Sequence, residues 1–314
     1  MKRSAAPAEF LPGLPLPSWA APSPAAGAGE GAAAAFQAGA ALLALDQVVR
    51  AEPPWLGTLR MRQALLAAAA TAKLLGQRED DRALRDAEHL TGTRDDPGPA
   101  GHLHRAWRWL ATWPVVLEGA TIARLCAGLG RPAAAAPALA LADADGDPIA
   151  RAARAAALAV EGRGGLTAAE AGVLGLMLAD LVLARALRWS VPVPLLAAAI
   201  AHPSLRCHGR RPAPGESGWE AACFAGYGRA AAAAYQCALD LSARHDRLCA
   251  AAIQIRTRNR DAALGRLLAD DAVTPASLSG LGSDRAARRF CDRLVELGGI
   301  RELSGRATFR LYGL

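Results

Sequence analysis

Residues 274–299 read TPASLSGLGSDRAARRFCDRLVELGG, and this stretch decides the fold of the C-terminal part of the chain. Thr274 before Pro275 marks a helix start: a hydroxyl that can accept a backbone N–H, then a residue whose missing N–H is not needed in a first turn. A short helix through Ala276, Ser277 and Leu278 is expected, with Gly280 and Gly282 making the turn after it. Ser283 or Asp284 then caps a longer helix whose apolar positions Ala287, Phe290, Cys291, Leu294 and Leu297 recur on one face. Its other side shows Arg285, Arg288, Arg289 and Arg293, and Gly298-Gly299 ends it.

Leu264, Leu267 and Leu268 predict an amphipathic helix before this stretch. After it, Ile300 to Leu303, a Ser304-Gly305 turn and the alternation Ala307, Phe309, Leu311 predict a β-hairpin. Helix, short helix, Arg-faced helix and hairpin is the order of a winged helix-turn-helix, in which the third helix enters the major groove and the wing approaches the phosphate backbone. Arg285, Arg288, Arg289, Arg293, Arg301, Arg306 and Arg310 are therefore the candidate nucleic-acid contacts, and duplex DNA the expected partner. The charge agrees: residues 254–314 hold 11 Arg against 7 Asp and Glu, more than half of the chain's excess of +7 in about a fifth of its length. Arg285, Arg288 and Arg289 also lie in the first two helical turns, where cations oppose the helix dipole at several tenths of a kcal/mol each. A contact to phosphate or guanine explains that placement, whereas Arg293 can pair with Glu296 and Arg289 with Asp292.

The remainder predicts helices. The chain has 314 residues, 52% hydrophobic but only 5% aromatic, so its apolar mass is Ala and Leu, which favour helix over sheet. Residues 1–30 are Pro-, Ala- and Gly-rich and are expected to form a disordered tail. An α-helical domain is expected over 31–252, as a bundle or irregular array, and the winged-helix domain over 253–314. Helices are predicted near 32–52, 55–75, 80–90, 102–113, 115–129, 149–160, 167–189 and 219–248. Pro53-Pro54, the run Asp95 to Gly101, and residues 132–148 are the breaks, and Thr167 with Glu170 forms a capping box. Mean hydropathy is +0.14, and Asp180, Arg185 and Arg188 interrupt the most apolar run, so a core helix and no membrane association is the expectation. Six scattered cysteines with no CxxC pair, and prolines that break any secretory core at the N-terminus, point to free thiols in the cytoplasm.

Four runs carry a family resemblance: Asp95-Asp96-Pro97-Gly98-Pro99-Ala100-Gly101, Leu178-Ala179-Asp180, Asp271 to Ala276, and Arg301 to Leu314. Over about Phe36 to Leu314 the chain resembles a bacterial family known as domain-of-unknown-function family 1403. Its ending also resembles the C-terminal helix-turn-helix segment of some bacterial Fic-like proteins. The resemblance implies a winged helix and transfers no reaction, since no histidine-centred Fic motif is present.

The leading reading is a non-enzymatic nucleic-acid-binding regulator or mobile-element accessory protein. The alternative is a scaffold whose winged helix docks a protein or a second copy. A third reading is a metal-dependent hydrolase at the loop of His89, Asp95, Asp96, His102 and His104, but no HExxH-like spacing fixes a site, and loop capping explains the same residues. Cys207-His208 lacks a third orienting group for a thiol nucleophile, and Gly162-Arg163-Gly164-Gly165 lacks a Walker lysine. Trp107, Trp109 and Trp113 suit helix contacts better than base stacking, and Asp180 is expected to pair with Arg185, Arg188 or a neighbouring helix. No cofactor and no catalytic residue is assigned.

Overall fold

The computed structural model describes residues 13–22, 31–91, 95–132, 146–207, 209–306 and 308–314. Most of the loop expected at 132–148, His208 of the Cys207-His208 pair, and Ala307 lie outside the described residues.

The fold is mainly helical. Eleven α-helices are described: α1 Gly31–Ala51, α2 Leu56–Leu74, α3 Asp81–Leu90, α4 Gly98–Leu110, α5 Gly119–Gly128, α6 Pro148–Glu161, α7 Ala168–Ala186, α8 Leu196–Ala199, α9 Trp219–Ile253, α10 Arg260–Ala269 and α11 Asp284–Glu296. Two short strands, β1 Arg301–Glu302 and β2 Tyr312–Gly313, form the one sheet among the described residues. Local chemistry explains several boundaries. Asp80 caps α3 by accepting the Ala83 N–H at 2.8 Å, and Asp147 caps α6 through Ile149 and Ala150. The capping box at α7 forms in full: Glu170 donates its N–H to Thr167 Oγ1 at 3.2 Å, and Thr167 donates its own to Glu170 Oε2 at 2.8 Å. Inside the run Asp95 to Gly101, which reads as a break, α4 in fact begins at Gly98 with Pro99 in its first turn, where proline is well tolerated.

Alanine dominates the helix contacts and lets axes approach closely. Helix α7 is buried almost all round and packs on α6, where a Cβ at Gly175 would meet the Ala156 carbonyl at 2.9 Å. Helix α1 is long and apolar enough to span a bilayer by length and composition, but Ala34, Ala38, Ala41, Leu45, Val48 and Val49 are buried and the helix packs on α9. Within the expected tail, residues 13–22 lie on the same surface: Tyr235 of α9 donates to the Leu14 carbonyl at 3.0 Å, Ala20 is buried, and the Trp19 ring sits 5.9 Å from that of Phe36.

One apolar core runs continuously from α1 to Leu314. Helix α2 is its axis, touching α3, α4, α7, α8, α9 and α10. The seam between α2 and α10 is close. Thr58 donates its hydroxyl to the carbonyls of Leu268 at 2.9 Å and Asp270 at 3.1 Å, capping the end of α10. A Cβ at Gly57 would lie 2.8 Å from both Cα and O of Ala269. Gly57→Ala is therefore expected to cost about 1–3 kcal/mol by overpacking, read as a lower urea midpoint at unchanged m-value. An unchanged midpoint would show that the seam gives way freely.

The C-terminal elements differ from the expected pattern in two places. Between α10 and α11 there is no second α-helix, only the 3₁₀ turns Pro275–Ser277 and Ser279–Leu281, the first capped by Thr274 as expected. The hairpin does not close on a Ser304-Gly305 turn. Its strands pair Arg301 with Gly313 and Glu302 with Tyr312, and residues 303–311 form the connection. The Glu302 carboxylate accepts the N–H groups of Ser304 at 2.8 Å and Gly305 at 2.9 Å, which folds the loop back, and Phe309 stands exposed at φ 55°. Tyr312 pairs on its other edge with Val273, which precedes Thr274, through N–H···O bonds of 2.8 and 2.9 Å. That long-range pairing, and not the local alternation of side chains, fixes where the second strand falls.

Candidate nucleic-acid interface

Helix α11 is held from both ends and from beneath. Ser283 accepts the Ala286 N–H at 3.2 Å, and Ala287, Phe290, Cys291 and Leu294 are buried. Burial raises the Cys291 thiol to about 12, as befits a side chain sealed under the helix. The opposite face carries Arg285, Arg288, Arg289 and Arg293, all exposed. Arg288 reaches Asp284 at 2.6 Å and Arg293 reaches Glu296 at 2.9 Å, both exposed pairs of small energetic weight. Arg285 and Arg289 have no ion pair among the described residues. Asp292, the partner expected for Arg289, instead accepts from the Tyr312 hydroxyl at 3.0 Å and from Arg310 at 3.5 Å.

The structure does not bring all seven arginines together. Arg310 stands beside the α11 face through Asp292, and its own pKa is raised by Tyr312 and Asp292. Arg306 turns away to Asp86 on α3, and on the same helix Arg82 donates to the Ser304 carbonyl. The loop at 303–311 is thus strapped to the helical body. Arg301 opens β1 beside Arg244 and Arg247 of α9, in a different groove.

The Asp/His loop is split as well. Asp96 accepts from Gly98 N at 2.8 Å and lies 2.9 Å from His102 Nε2, an exposed capping arrangement. His104 is buried, its Nδ1 3.2 Å from the Leu84 carbonyl, and burial with the Arg108 charge nearby lowers it to about 4. His89 points elsewhere, to a cluster that a linear reading misses because its members come from three segments.

In that cluster one ligand atom each from His89, Asp270 and Asp271 lies within 4.8 Å of the others, a spacing that suits a divalent cation. Arginines already fill the same positions. Arg108 donates to both Asp270 oxygens at 2.9 and 2.8 Å and to Asp271 at 3.2 Å, Arg85 donates to Asp271 at 2.9 Å, and Glu88 lies 2.9 Å from Arg105 and 3.4 Å from Arg108. Burial pushes the Asp271 carboxyl up, but neighbouring His89, Arg108 and Arg85 overcome this and hold it well below the usual carboxylate range. Three guanidiniums face three carboxylates, so the cluster is a balanced ion network joining α3, α4 and the exit of α10.

Asp180, on α7, is a second buried carboxylate, and its partners are not arginines. It accepts the N–H groups of Leu195 at 2.9 Å and Leu196 at 3.1 Å, at the start of α8. Burial raises it to about 7 against the opposing pull of those bonds and of Tyr227. These bonds tie α7 to the segment entering α8. Trp107 is likewise core, donating Nε1–H to Thr71 Oγ1 at 3.0 Å, while Trp109 and Trp113 stack at 5.1 Å under Arg124.

These features define a mainly helical protein whose C-terminal segment presents an arginine-bearing helix and whose buried polar groups serve architecture. Residues 8–314 match the family model described as a protein of unknown function, DUF1403, and the chain belongs to that family. No curated protein matches it.

Proposed function

We propose that the segment from α10 to Leu314 is a winged-helix module that presents the outer face of α11 to duplex nucleic acid, the helical body serving as its mount. The observation that carries this reading is the division of α11: its apolar face is sealed into the core while Arg285, Arg288, Arg289 and Arg293 all face solvent, two of them with no ion pair among the described residues. Cations in the first turns of a helix oppose its dipole, and a polyanion compensates them. The order α10, extended Val273, turns, α11, hairpin supports the module, as does the pairing of Val273 with the returning strand. The replacement of the middle helix by two 3₁₀ turns is a departure from the pattern. Six free cysteines accord with a reducing, cytoplasmic setting.

In a fluorescence anisotropy titration against a labelled DNA duplex, affinity is expected to fall steeply with salt. Arg285→Ala with Arg289→Ala should weaken binding on every sequence tested and reduce the log–log salt slope by about 2. Absence of binding at low salt, or a slope unchanged in the double variant, would remove nucleic acid as the partner of this face. One observation favours a second reading, protein docking. Arg306, at the tip of the expected wing, is engaged with Asp86 on α3, which leaves the loop a strut rather than a free wing.

A further inference from the structure

Where α9 passes β1, the charges do not balance. Arg244 and Arg247 of α9 and Arg301 of β1 line a groove of about 480 Å³, walled by Val295, Gly298, Gly299 and Ile300. Arg244 is half-buried, and its Nε is shut off from water with no hydrogen-bond partner. Around it stand Arg301, Arg62 and Arg247, with one acid acting on it, the exposed Asp240 one turn earlier on α9, and burial together with the three like charges lowers its pKa. Glu302 also lines the groove, but its carboxylate is spent on Ser304 and Gly305. Arg62 is turned to the Leu314 oxygen and to Cys237 Sγ. Arg244, Arg247 and Arg301 therefore share a groove, lined also by Leu314, in which among the described residues no carboxylate is bonded to any of the three. In the network around Arg108, by contrast, Arg85, Arg105 and Arg108 are each met by a carboxylate.

Like charges held together at a half-buried site cost stability and bring no packing in return. A tetrahedral oxyanion reverses that, because its oxygens accept several planar N–H forks at once, and a guanidinium donates to phosphate in pairs. We infer that this groove is a phosphate-binding site, in which Arg244, Arg247 and Arg301 hold one phosphate group of a monoester, a diester or the free ion. The inference does not rest on the reading of α11 and stands if that reading fails.

The test is thermal melting of the full chain in about 50 mM inorganic phosphate against chloride at equal ionic strength. Phosphate stabilises most proteins by exclusion from their surface, so the quantity read is the difference in its effect between wild type and Arg244→Met/Arg301→Gln. Wild type should gain about 2 °C more than the double variant. Without phosphate the double variant should melt no lower than wild type, since a repulsion has been removed. An equal phosphate gain in both proteins overturns the inference. If Arg244→Met impairs folding, Arg247→Gln/Arg301→Gln, at two exposed positions, gives the same comparison. Arg285→Ala/Arg289→Ala should keep the full gain, which separates this site from the α11 face. Titration of the groove variants with duplex DNA identifies the source of the phosphate: a salt slope lower by about 1 places a backbone phosphate in the groove, and an unchanged slope alongside a lost phosphate gain places a free phosphate compound there.

Discussion

Arg108→Met is expected to lower stability by about 3–5 kcal/mol, the usual cost of removing one partner from a buried ion pair. The side chain is 15% exposed and bonds two carboxylates, one of them, Asp271, with no side-chain exposure at all. Methionine fills the space but leaves Asp270 with the Asp271 N–H and Asp271 with Arg85 and the more distant His89. The sign of the pH dependence follows from the lowered Asp271 pKa. A carboxyl whose folded pKa is depressed contributes stability above its unfolded value, near 3.8, and that contribution is lost as pH falls below it. In the variant the stranded carboxyls take up protons at higher pH, so the gap between the two proteins should narrow in acid. Urea denaturation at pH 7 and at pH 4 reads both effects. A deficit under about 1 kcal/mol at pH 7 would mean that the network is not what fastens α10 to α3 and α4.

Asp180→Ala should cost about 3 kcal/mol, because two backbone N–H groups lose their acceptor inside the core and each buried unsatisfied group costs about 1–3 kcal/mol. Asp180→Asn isolates the charge. With a folded pKa of about 7 against 3.8 unfolded, the folded state holds the extra proton between these values, so wild-type stability falls as pH rises through that window. His104, at about 4 when folded and 6.5 when unfolded, contributes the opposite slope over much of the same range. The two contributions oppose each other, so the diagnostic is the difference between wild type and Asp180→Asn, which should decline by up to about 1.4 kcal/mol per pH unit from about pH 4 to pH 7. A difference independent of pH would show Asp180 ionised throughout.

What could be read from the residues alone was what local chemistry decides. The caps at Thr167, Thr274 and Ser283 act within four residues, and each of them forms. The apolar face of α11 repeats at helical spacing, and it is buried. The features that escaped are settled by residues far apart in the chain. Nothing near Phe309 tells that the second strand begins at Tyr312, since Val273 sets that register from across the segment. Of the partners expected for Asp180, Arg185, Arg188 or a neighbouring helix, it takes the last: the prolines at 192 and 194 end the preceding run and expose unpaired N–H groups at 195 and 196, which a buried carboxylate satisfies. The significance of Asp270 and Asp271 lies in Arg85 and Arg108, more than 160 positions away. The grouping of Arg244 with Arg301 is invisible for the same reason.

The seam between α2 and α10 has a consequence for biosynthesis. Thr58 and Gly57 leave the ribosome well before the groups that cover them, from Leu267 to Asp270, which follow some 209 to 212 positions later, and the Arg62 acceptor at Leu314 lies 252 positions on. A nascent chain must therefore carry the bare flank of α2 while more than 200 further residues are made, and contacts of such long sequence separation make closure slow. Chaperone dependence should accordingly concentrate on that flank, and truncations just short of α10 should aggregate through it.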